Sequence, residues 1–354
     1  MSQHSHYIPK SILGNFCGSS KYPDHIFLAN FTVGKIGHRN IKSAFYRRGL
    51  YSDQLEEQFN IELENKMKAI IGMLLSNSNG AVQLTSEQDE LLKKYLICQE
   101  IRTVFGSDTL INEPNDPYKI LKETCPKGKS GDEYWEDAIS EILTKPWKEL
   151  YDSKNAIVRE FVRTEDSCYR FVIHTDNYLM INDFGMVREV TSGLSEKQQG
   201  DVRRYVSKEY GLNKYEDLSR QGRQNCLVFS ISSHHAIIKM PIIWGKLFQD
   251  WKNASVFAAN NMVSPLLQDI AEHNTGKNLP LDYSSKTNKM LIVEAGPESA
   301  DMINAMNIIQ CKQWLGLEDP DKMKEFFELY ETHSNNNNRC RWILNDYDWD
   351  KDLS

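Results

Sequence analysis

Three short runs of β-prone residues lie close together in the middle of the chain, and they constrain the fold more than any other feature. The runs span residues 169–173, 178–182 and 185–190, and turn-forming residue types at 175–177 and 183–185 separate them. Strands that are connected by such short turns pair in antiparallel fashion. The spacing therefore predicts a sheet that is mainly antiparallel.

Further β-prone runs extend the predicted sheet on both sides of these strands. They span residues 26–33, 226–231, 236–243 and 290–293. The first run is followed by Gly34 and Lys35, a pair that favours a tight turn. We therefore expect a hairpin near the start of the chain.

Helical patterns separate the strands. Apolar residues at spacings of three and four follow Asp53, a suitable cap, and a second helix begins at Thr85, which can form a capping box with Gln88. Similar patterns occur around residues 135–142, 301–314 and 321–330. Together these segments predict an α+β fold, a central and mainly antiparallel sheet with packed helices.

The charge balance excludes a general affinity for anionic partners. The chain carries a net charge of −7 and has an isoelectric point of about 5.8, so no overall positive field attracts nucleic acid or anionic lipid. Any binding of a nucleic acid or nucleotide must therefore be local.

The sequence also predicts the cellular compartment. No apolar run reaches the roughly 18 residues that a membrane-spanning helix needs, and the first ten residues lack the apolar part of a signal peptide. Seven cysteines are scattered without any Cys-x-x-Cys pair, a pattern typical of reduced thiols. We therefore expect a cytoplasmic protein that has no membrane partner.

Several segments of the chain, taken in order, resemble a known family. The opening HYIPKSILGNF at residues 6–16 is followed by LEEQFNIELENKMKAII, ICQEIRT, LMINDFGMV, FSISSHHAI and INAMNIIQCKQW. In this order they are similar to the motifs of domain-of-unknown-function family 4238 (DUF4238). The chain departs from the family pattern after Asp183, where an Asn-Pro pair is missing, and at His234 and His235, which replace a proline region.

The resemblance covers most of the chain and implies one domain in an intracellular, chiefly microbial protein. We therefore expect a single globular domain over residues 1–333, with a helical and loop insertion at about 107–165, and a polar tail over residues 334–354. The family carries no settled activity, so any assignment of function has to start from individual residues.

Two residues are candidates because the chain around them is rigid. Pro9 restricts the residue before it to an extended conformation, which would hold the nearby His6 imidazole in a fixed direction. His6 is then either an acid or base, or a structural hydrogen-bonding group. Asp183 follows a predicted strand, where it either faces a cleft or is an ordinary turn residue.

Arg102 is a candidate because it lies on the apolar face of its predicted helix. A guanidinium among apolar neighbours requires a carboxylate partner, and Glu56, Glu62 and Asp183 are the available ones. The alternative role is to anchor an anionic substrate such as a phosphate.

Other patterns argue against several kinds of site. His234 and His235 are adjacent, and adjacent strand residues point to opposite faces, so we do not expect them to bind one metal ion. Residues 64–66 have the Glu-x-Lys form of restriction-type nucleases but fall within a predicted helix. The sequence contains no phosphate loop, dinucleotide fingerprint or serine elbow, and no pattern specifies a cofactor.

Two hypotheses of function follow. In the first, the chain is a microbial effector, a nuclease or nucleotide-directed hydrolase that acts in phage defence or toxicity. His6 is then the acid or base and Arg102 holds a phosphate, while Asp183 with Glu56 or Glu62 orients the imidazole or a water. In the second, the chain is a noncatalytic recognition module that binds a protein partner, and the same residues form a buried structural network. An open pocket favours the first hypothesis and full burial the second.

Overall fold

The computed structural model describes residues 4–18, 22–103, 124–188, 226–241, 265–274, 288–333 and 340. Helices and strands both occur throughout these residues, so the α+β prediction is confirmed. The predicted polar tail lies outside them except for Cys340, which is buried. No helix in the described part of the chain is long and apolar enough to cross a lipid bilayer.

Twelve strands are formed within the described residues. They are β1 (His4–His6), β2 (His25–Asn30), β3 (Lys35–Asn40), β4 (Tyr46–Arg48), β5 (Gly80–Gln83), β6 (Cys168–His174), β7 (Ile181–Asn182), β8 (Val187–Arg188), β9 (Leu227–Ser230), β10 (His235–Pro241), β11 (Lys289–Glu294) and β12 (Trp314–Leu317).

Ten α-helices are formed within the described residues. They are α1 (Lys10–Leu13), α2 (Asp53–Gln58), α3 (Asn65–Leu75), α4 (Ser86–Ile101), α5 (Gly131–Thr144), α6 (Trp147–Leu150), α7 (Ala156–Asp166), α8 (Pro265–His273), α9 (Pro297–Gln310) and α10 (Pro320–His333). A π-helical segment, Phe59–Glu64, connects α2 to α3.

The strands are distributed over three sheets. A six-stranded sheet has the order β5-β11-β6-β10-β9-β8, and a four-stranded sheet has the order β3-β2-β12-β7. The third sheet is the pair of β1 and β4. Every pairing is antiparallel except that of β11 with β6. The predicted antiparallel character is confirmed, but the strands form more than one sheet. The three closely spaced strands do not pair with one another: β6 pairs with β10 and β11, β7 with β12, and β8 with β9.

The six-stranded sheet is covered by helices on both faces. On β6, Val172 packs against the cluster that contains α3, α4, α5 and α7, while its neighbours Phe171 and Ile173 pack against α8 and α9. This alternation follows from the two-residue period of a strand. A third cluster joins one face of the four-stranded sheet to α10, and Cys340 belongs to it.

The predicted cap is correct for α4 and wrong for α2. Thr85 forms the capping box with Gln88 before α4, as predicted. The cap of α2 is Ser52 rather than Asp53, because the Ser52 hydroxyl accepts the backbone N–H of Leu55. Asp53 is the first residue of that helix, where a negative charge is also favourable.

One predicted helix is shorter than expected. The helical pattern was assigned to residues 301–314, but α9 ends at Gln310 and Trp314 begins strand β12. Cys311 adopts φ −54° and ψ 131°, which ends the helix. The next three backbone N–H groups are bound by the carboxylate of Asp183. A contact with a distant residue thus overrides the local pattern.

Candidate functional site

His6 lies inside the protein at the end of β1. Its side chain is 4% exposed, and Nε2 lies 3.1 Å from the carbonyl oxygen of Lys42. Because a carbonyl oxygen only accepts, Nε2 donates this hydrogen bond. The backbone oxygen of His6 accepts further hydrogen bonds from Tyr51, at 3.1 Å, and from the guanidinium of Arg102. His6 therefore connects β1 by hydrogen bonds to Tyr51, just before α2, and to Arg102, just after α4.

Arg102 directly follows α4 and is completely buried. Its Nη2 donates to Oε1 of Glu64 at 2.8 Å, and its guanidinium carbon lies 4.3 Å from the centre of the Phe59 ring. The carboxylate partner is therefore Glu64, which was not among the three predicted partners. Nε and Nη1 of Arg102 have no hydrogen-bond partner among the described residues.

The two predicted glutamates lie in different surroundings. Glu56 is close to the buried guanidinium: burial raises its pKa, while the charge of Arg102 and a backbone hydrogen bond from His6 act in the opposite direction. Glu62 instead forms an ion pair at 2.8 Å with Lys66 on the surface. The structure therefore brings together His6, Arg102 and Glu56, and separates Glu62 from them.

Asp183 holds the chain that leads into β12. Its carboxylate is fully buried and accepts the backbone N–H groups of Lys312, at 2.7 Å, Gln313, at 2.6 Å, and Trp314. Asp183 follows β7, so these bonds connect two neighbouring strands of the four-stranded sheet. In this position the carboxylate is used as a structural acceptor.

Replacing Asp183 with asparagine is expected to destabilise the fold. An amide group offers one acceptor oxygen and an NH₂ group that would face a backbone N–H, so at least one buried donor loses its acceptor. We expect a loss of about 1 to 3 kcal/mol in the free energy of unfolding, measured by urea denaturation. The control is Asp319→Asn at the start of α10, a half-buried cap that accepts two N–H groups. Asparagine caps about as well as aspartate there, so we expect a change within about 0.5 kcal/mol.

A comparison of the wild type with Asp183→Asn also tests how the stability of the fold depends on pH. Burial raises the pKa of the Asp183 carboxyl to about 6, although its three backbone N–H donors oppose this shift. In an unfolded chain an aspartate has a pKa of about 3.9. The folded form therefore retains a proton between about pH 4 and 6, and its stability falls as the pH rises through this window. The wild type should therefore lose part of its stability advantage over the non-titrating Asp183→Asn variant as the pH rises from about 4 to about 6. An advantage that grows with pH would show that the N–H donors dominate.

The N-terminal segment, residues 6–16, contacts several of the other segments on which the family resemblance rests. Gln99 donates through Nε2 to the carbonyl oxygens of Tyr7 and Phe184, both at 3.1 Å. Gly185 adopts a φ of +62°, and a Cβ at this position would lie 2.7 Å from Gln99 Nε2. Farther along, Asn15 donates to the carbonyl oxygen of Ile231 at 2.9 Å. These buried contacts fix the segment against both larger sheets.

An open cleft lies beyond Asn15, where the end of β6 meets the turn between β9 and β10. We call it the histidine cleft. Its volume is about 410 Å³, and the residues that line it include Asn15, His174, Asp176, Ser232, His234 and His235. His174 and His235 are directly opposite each other on paired strands, with ring centres 4.8 Å apart.

Hydrogen bonds determine the tautomers of two of these imidazoles. Nδ1 of His234 lies 3.1 Å from the carbonyl oxygen of Thr175, so in the neutral ring Nδ1 carries the proton and Nε2 has the lone pair. His235 has the opposite arrangement, because its Nε2 lies 3.2 Å from the carbonyl oxygen of Asn77. Its Nδ1 lies 3.2 Å from the hydroxyl oxygen of Ser232.

The environment favours the neutral form of His235. Burial lowers the pKa of its imidazole, and the nearby His174 and His234 lower it further, while the hydrogen bond to Asn77 acts in the opposite direction. His234 and His174 are half-buried, and the ring of His234 lies 4.9 Å from that of Tyr178. The cleft thus combines imidazoles that have defined orientations.

Sequence reasoning missed this cleft. His234 and His235 were both expected to lie in a strand, but β10 begins at His235 and His234 belongs to the turn before it. Both can therefore line one cleft. Among the described residues, no group of three or more His, Cys, Asp or Glu side chains is placed to hold a metal ion.

The fold and these contacts define an α+β protein in which buried polar side chains hold an N-terminal segment against two sheets. The chain belongs to the family described as "Protein of unknown function (DUF4238)", whose model matches residues 4–319. The resemblance found in the sequence is therefore confirmed. No curated protein and no solved structure matches the chain.

Proposed function

We propose that this chain is a hydrolase and that the histidine cleft is its active site. The observation that carries the proposal is that three imidazoles meet in one open cleft, with two of their tautomers determined by backbone carbonyls. A positioned imidazole is the commonest acid or base in enzymes, because its pKa is near neutral. His234 and His235 are the leading candidates for the acid or base, because each has one ring nitrogen bonded to a backbone carbonyl and the other left with a lone pair.

The histidine cleft does not contain the residues that the sequence suggested as catalytic. His6, Arg102 and Asp183 are 4%, 0% and 0% exposed, and each is bonded to backbone groups or a carboxylate. A substrate could reach them only if the N-terminal segment moved away from its contacts. We assign these residues to the stability of the fold, together with Glu56.

The lining of the cleft gives a preference among substrates. Asp176 lines it, and the described lining residues include no lysine or arginine. Binding of nucleic acid depends on such cations at the phosphate backbone. An uncharged small substrate therefore fits the cleft better than a nucleic acid, and we place the nuclease or nucleotide-directed activity second among hydrolytic reactions.

The test is a hydrolysis screen with variants of the cleft. p-Nitrophenyl esters, p-nitrophenyl phosphate diesters and nucleotides would be offered to the wild type, His234→Asn and His235→Gln. The asparagine Nδ2 can still donate to Thr175 but cannot titrate near neutral pH, so the turn should be kept. We expect the variant that removes the acid or base to lower the rate by about 10²- to 10⁴-fold, the usual contribution of such a group.

The matched control is His273→Gln on α8. That histidine has 41% of its side chain exposed, lies outside the cleft, and should tolerate replacement without a change in rate. Thermal unfolding of all four proteins would show that they are folded. If folded cleft variants hydrolyse the substrate as fast as the wild type, the cleft is not the active site.

A noncatalytic recognition module is the second candidate function. The burial of the His6 and Arg102 cluster favours it, because side chains that are buried against one another leave no open space for a substrate. A folded wild-type protein that hydrolyses none of the substrates would support this candidate over the hydrolase.

A further inference from the structure

We propose that Ser232 is a nucleophile activated by His235, and that the substrates of the histidine cleft are carboxylic esters that form an acyl-enzyme on this serine. The inference rests on the proposed hydrolase function and adds a covalent step and a substrate class. It starts from the turn between β9 and β10, where Ser232 and His235 are three residues apart and the hydroxyl oxygen lies 3.2 Å from Nδ1.

The direction of this hydrogen bond follows from its neighbours. Because the carbonyl oxygen of Asn77 only accepts, neutral His235 carries its proton on Nε2, and Nδ1 is left with a lone pair. The Ser232 hydroxyl must then donate its proton to Nδ1. This is the arrangement of a serine nucleophile and its general base, with a carbonyl in the place of the group that usually orients the imidazole.

The Ser232 oxygen also accepts hydrogen bonds from two backbone N–H groups. The backbone N–H groups of His234, at 3.1 Å, and His235, at 2.9 Å, donate to this oxygen. They hold the hydroxyl in the turn, and one of them has to release the oxygen so that a lone pair becomes free to attack the ester carbon. Ser232 as a residue is 8% exposed and belongs to the lining of the cleft, so the turn that carries the hydroxyl borders the space open to a substrate.

The neutral state of His235 suits the role of a base. Burial and the neighbouring histidines lower its pKa from the ordinary value of 6.5, so the imidazole is free to accept a proton at neutral pH. The titratable groups around it are His174 on β6, whose ring centre lies 4.8 Å away, and Asp176 and His234, which line the same cleft. Lys239 and the other residues of β10 are on the same strand but beyond the cleft lining.

The reaction has two balanced halves. The Ser232 oxygen forms a bond with the ester carbonyl carbon while its proton moves to Nδ1 of His235. The bond between that carbon and the alcohol oxygen then breaks, and His235 returns the proton to the leaving alcohol. In the second half, water attacks the acyl-serine, gives one proton to His235 and releases the carboxylic acid, and the serine oxygen recovers that proton.

The test is covalent labelling of the wild-type protein with a fluorophosphonate, followed by mass spectrometry of the intact chain and its peptides. The serine oxygen displaces fluoride from phosphorus, and the released proton leaves with it. We expect one adduct per chain, located on Ser232. The neighbouring Ser233, which donates to the carbonyl oxygen of Asn15 at 3.4 Å, serves as the control, and Ser233→Ala should still be labelled.

The pH profile and one variant examine the role of His235. The labelling rate should rise with pH and reach half of its maximum below pH 6.5, because the pKa of His235 is lowered. His235→Asn should label at least about 10²-fold more slowly, since an amide does not accept the serine proton. A profile that has its midpoint at or above pH 6.5 would contradict the role of His235.

The outcomes separate this inference from the proposed function. If esters are hydrolysed and the cleft histidines are required, but no label reaches Ser232, the hydrolase proposal stands and the serine nucleophile is wrong. If neither hydrolysis nor labelling occurs in the folded protein, both are wrong. Labelling of another serine also overturns the inference.

Discussion

Replacing Arg102 with alanine is expected to lower the free energy of unfolding by about 3 to 5 kcal/mol, the usual cost of removing one partner from a buried ion pair. Glu64 would keep a carboxylate that has only 16% of its side chain exposed, and the oxygen of His6 would lose a charged donor. The contact with the Phe59 ring would also be lost. Urea denaturation followed by circular dichroism measures the change.

A surface ion pair in the same part of the chain provides the control. Lys66 pairs with Glu62 at 2.8 Å, but 53% and 38% of the two side chains are exposed. Lys66→Ala should therefore cost less than about 1 kcal/mol. Arg102→Lys keeps the charge and loses the planar group, so it should lie between the two. If Arg102→Ala is no more destabilising than Lys66→Ala, the guanidinium is not a supporting element of the fold.

The need for a carboxylate beside Arg102 could be predicted from the sequence, but the identity of that carboxylate could not. The π-helical segment Phe59–Glu64 interrupts the α-helix. The side chains that follow it therefore point in directions that a continuous α-helix would not give them. Glu56 and Glu62 on the preceding helix were expected as partners, whereas Glu64 reaches the guanidinium. A single extra residue in a helical turn is enough to change the partner.

Long periodic segments were predicted more successfully than short ones. The α4 capping box follows from the spacing of Thr85 and Gln88. Strands β6, β9, β10 and β11 follow from continuous β-prone runs, whose residues are buried in the clusters on both faces of the sheet. Strand β12 could not be predicted this way, since its start depends on the distant Asp183. The same holds for the histidine cleft, which combines residues near positions 15, 174 and 232–235.

Replacing Lys239 with alanine is expected to have an even larger effect on stability than Arg102→Ala. Lys239 lies on β10 in the interior of the six-stranded sheet and is 2% exposed. Its ammonium group pairs with Glu165 at 2.7 Å and with Glu100. Burial lowers the pKa of Lys239, but the two carboxylates more than offset this, and the pKa is raised. The lysine therefore stays charged and neutralises two carboxylates that have little contact with water.

The variant leaves both of those carboxylates in place. Arg170 still pairs with Glu165 at 3.1 Å, but in the described part of the chain no other cation forms an ion pair with Glu100. We expect a loss of at least about 3 to 5 kcal/mol in the free energy of unfolding. Lys145→Ala, which removes a half-exposed partner of Glu141, is the control and should cost less than about 1 kcal/mol.

Restoring neutrality distinguishes a charge effect from a packing effect. In the double variant Lys239→Met with Glu100→Gln, the apolar stem is retained and one of the two buried charges is removed, while Arg170 still neutralises Glu165. Much of the lost stability should then return, because the penalty arises from an unpaired charge in a low-dielectric interior. If Lys239→Met alone is as stable as the wild type, Glu100 has enough access to water to remain charged. If the double variant is as unstable as Lys239→Ala, the lysine contributes through the packing of its position on β10.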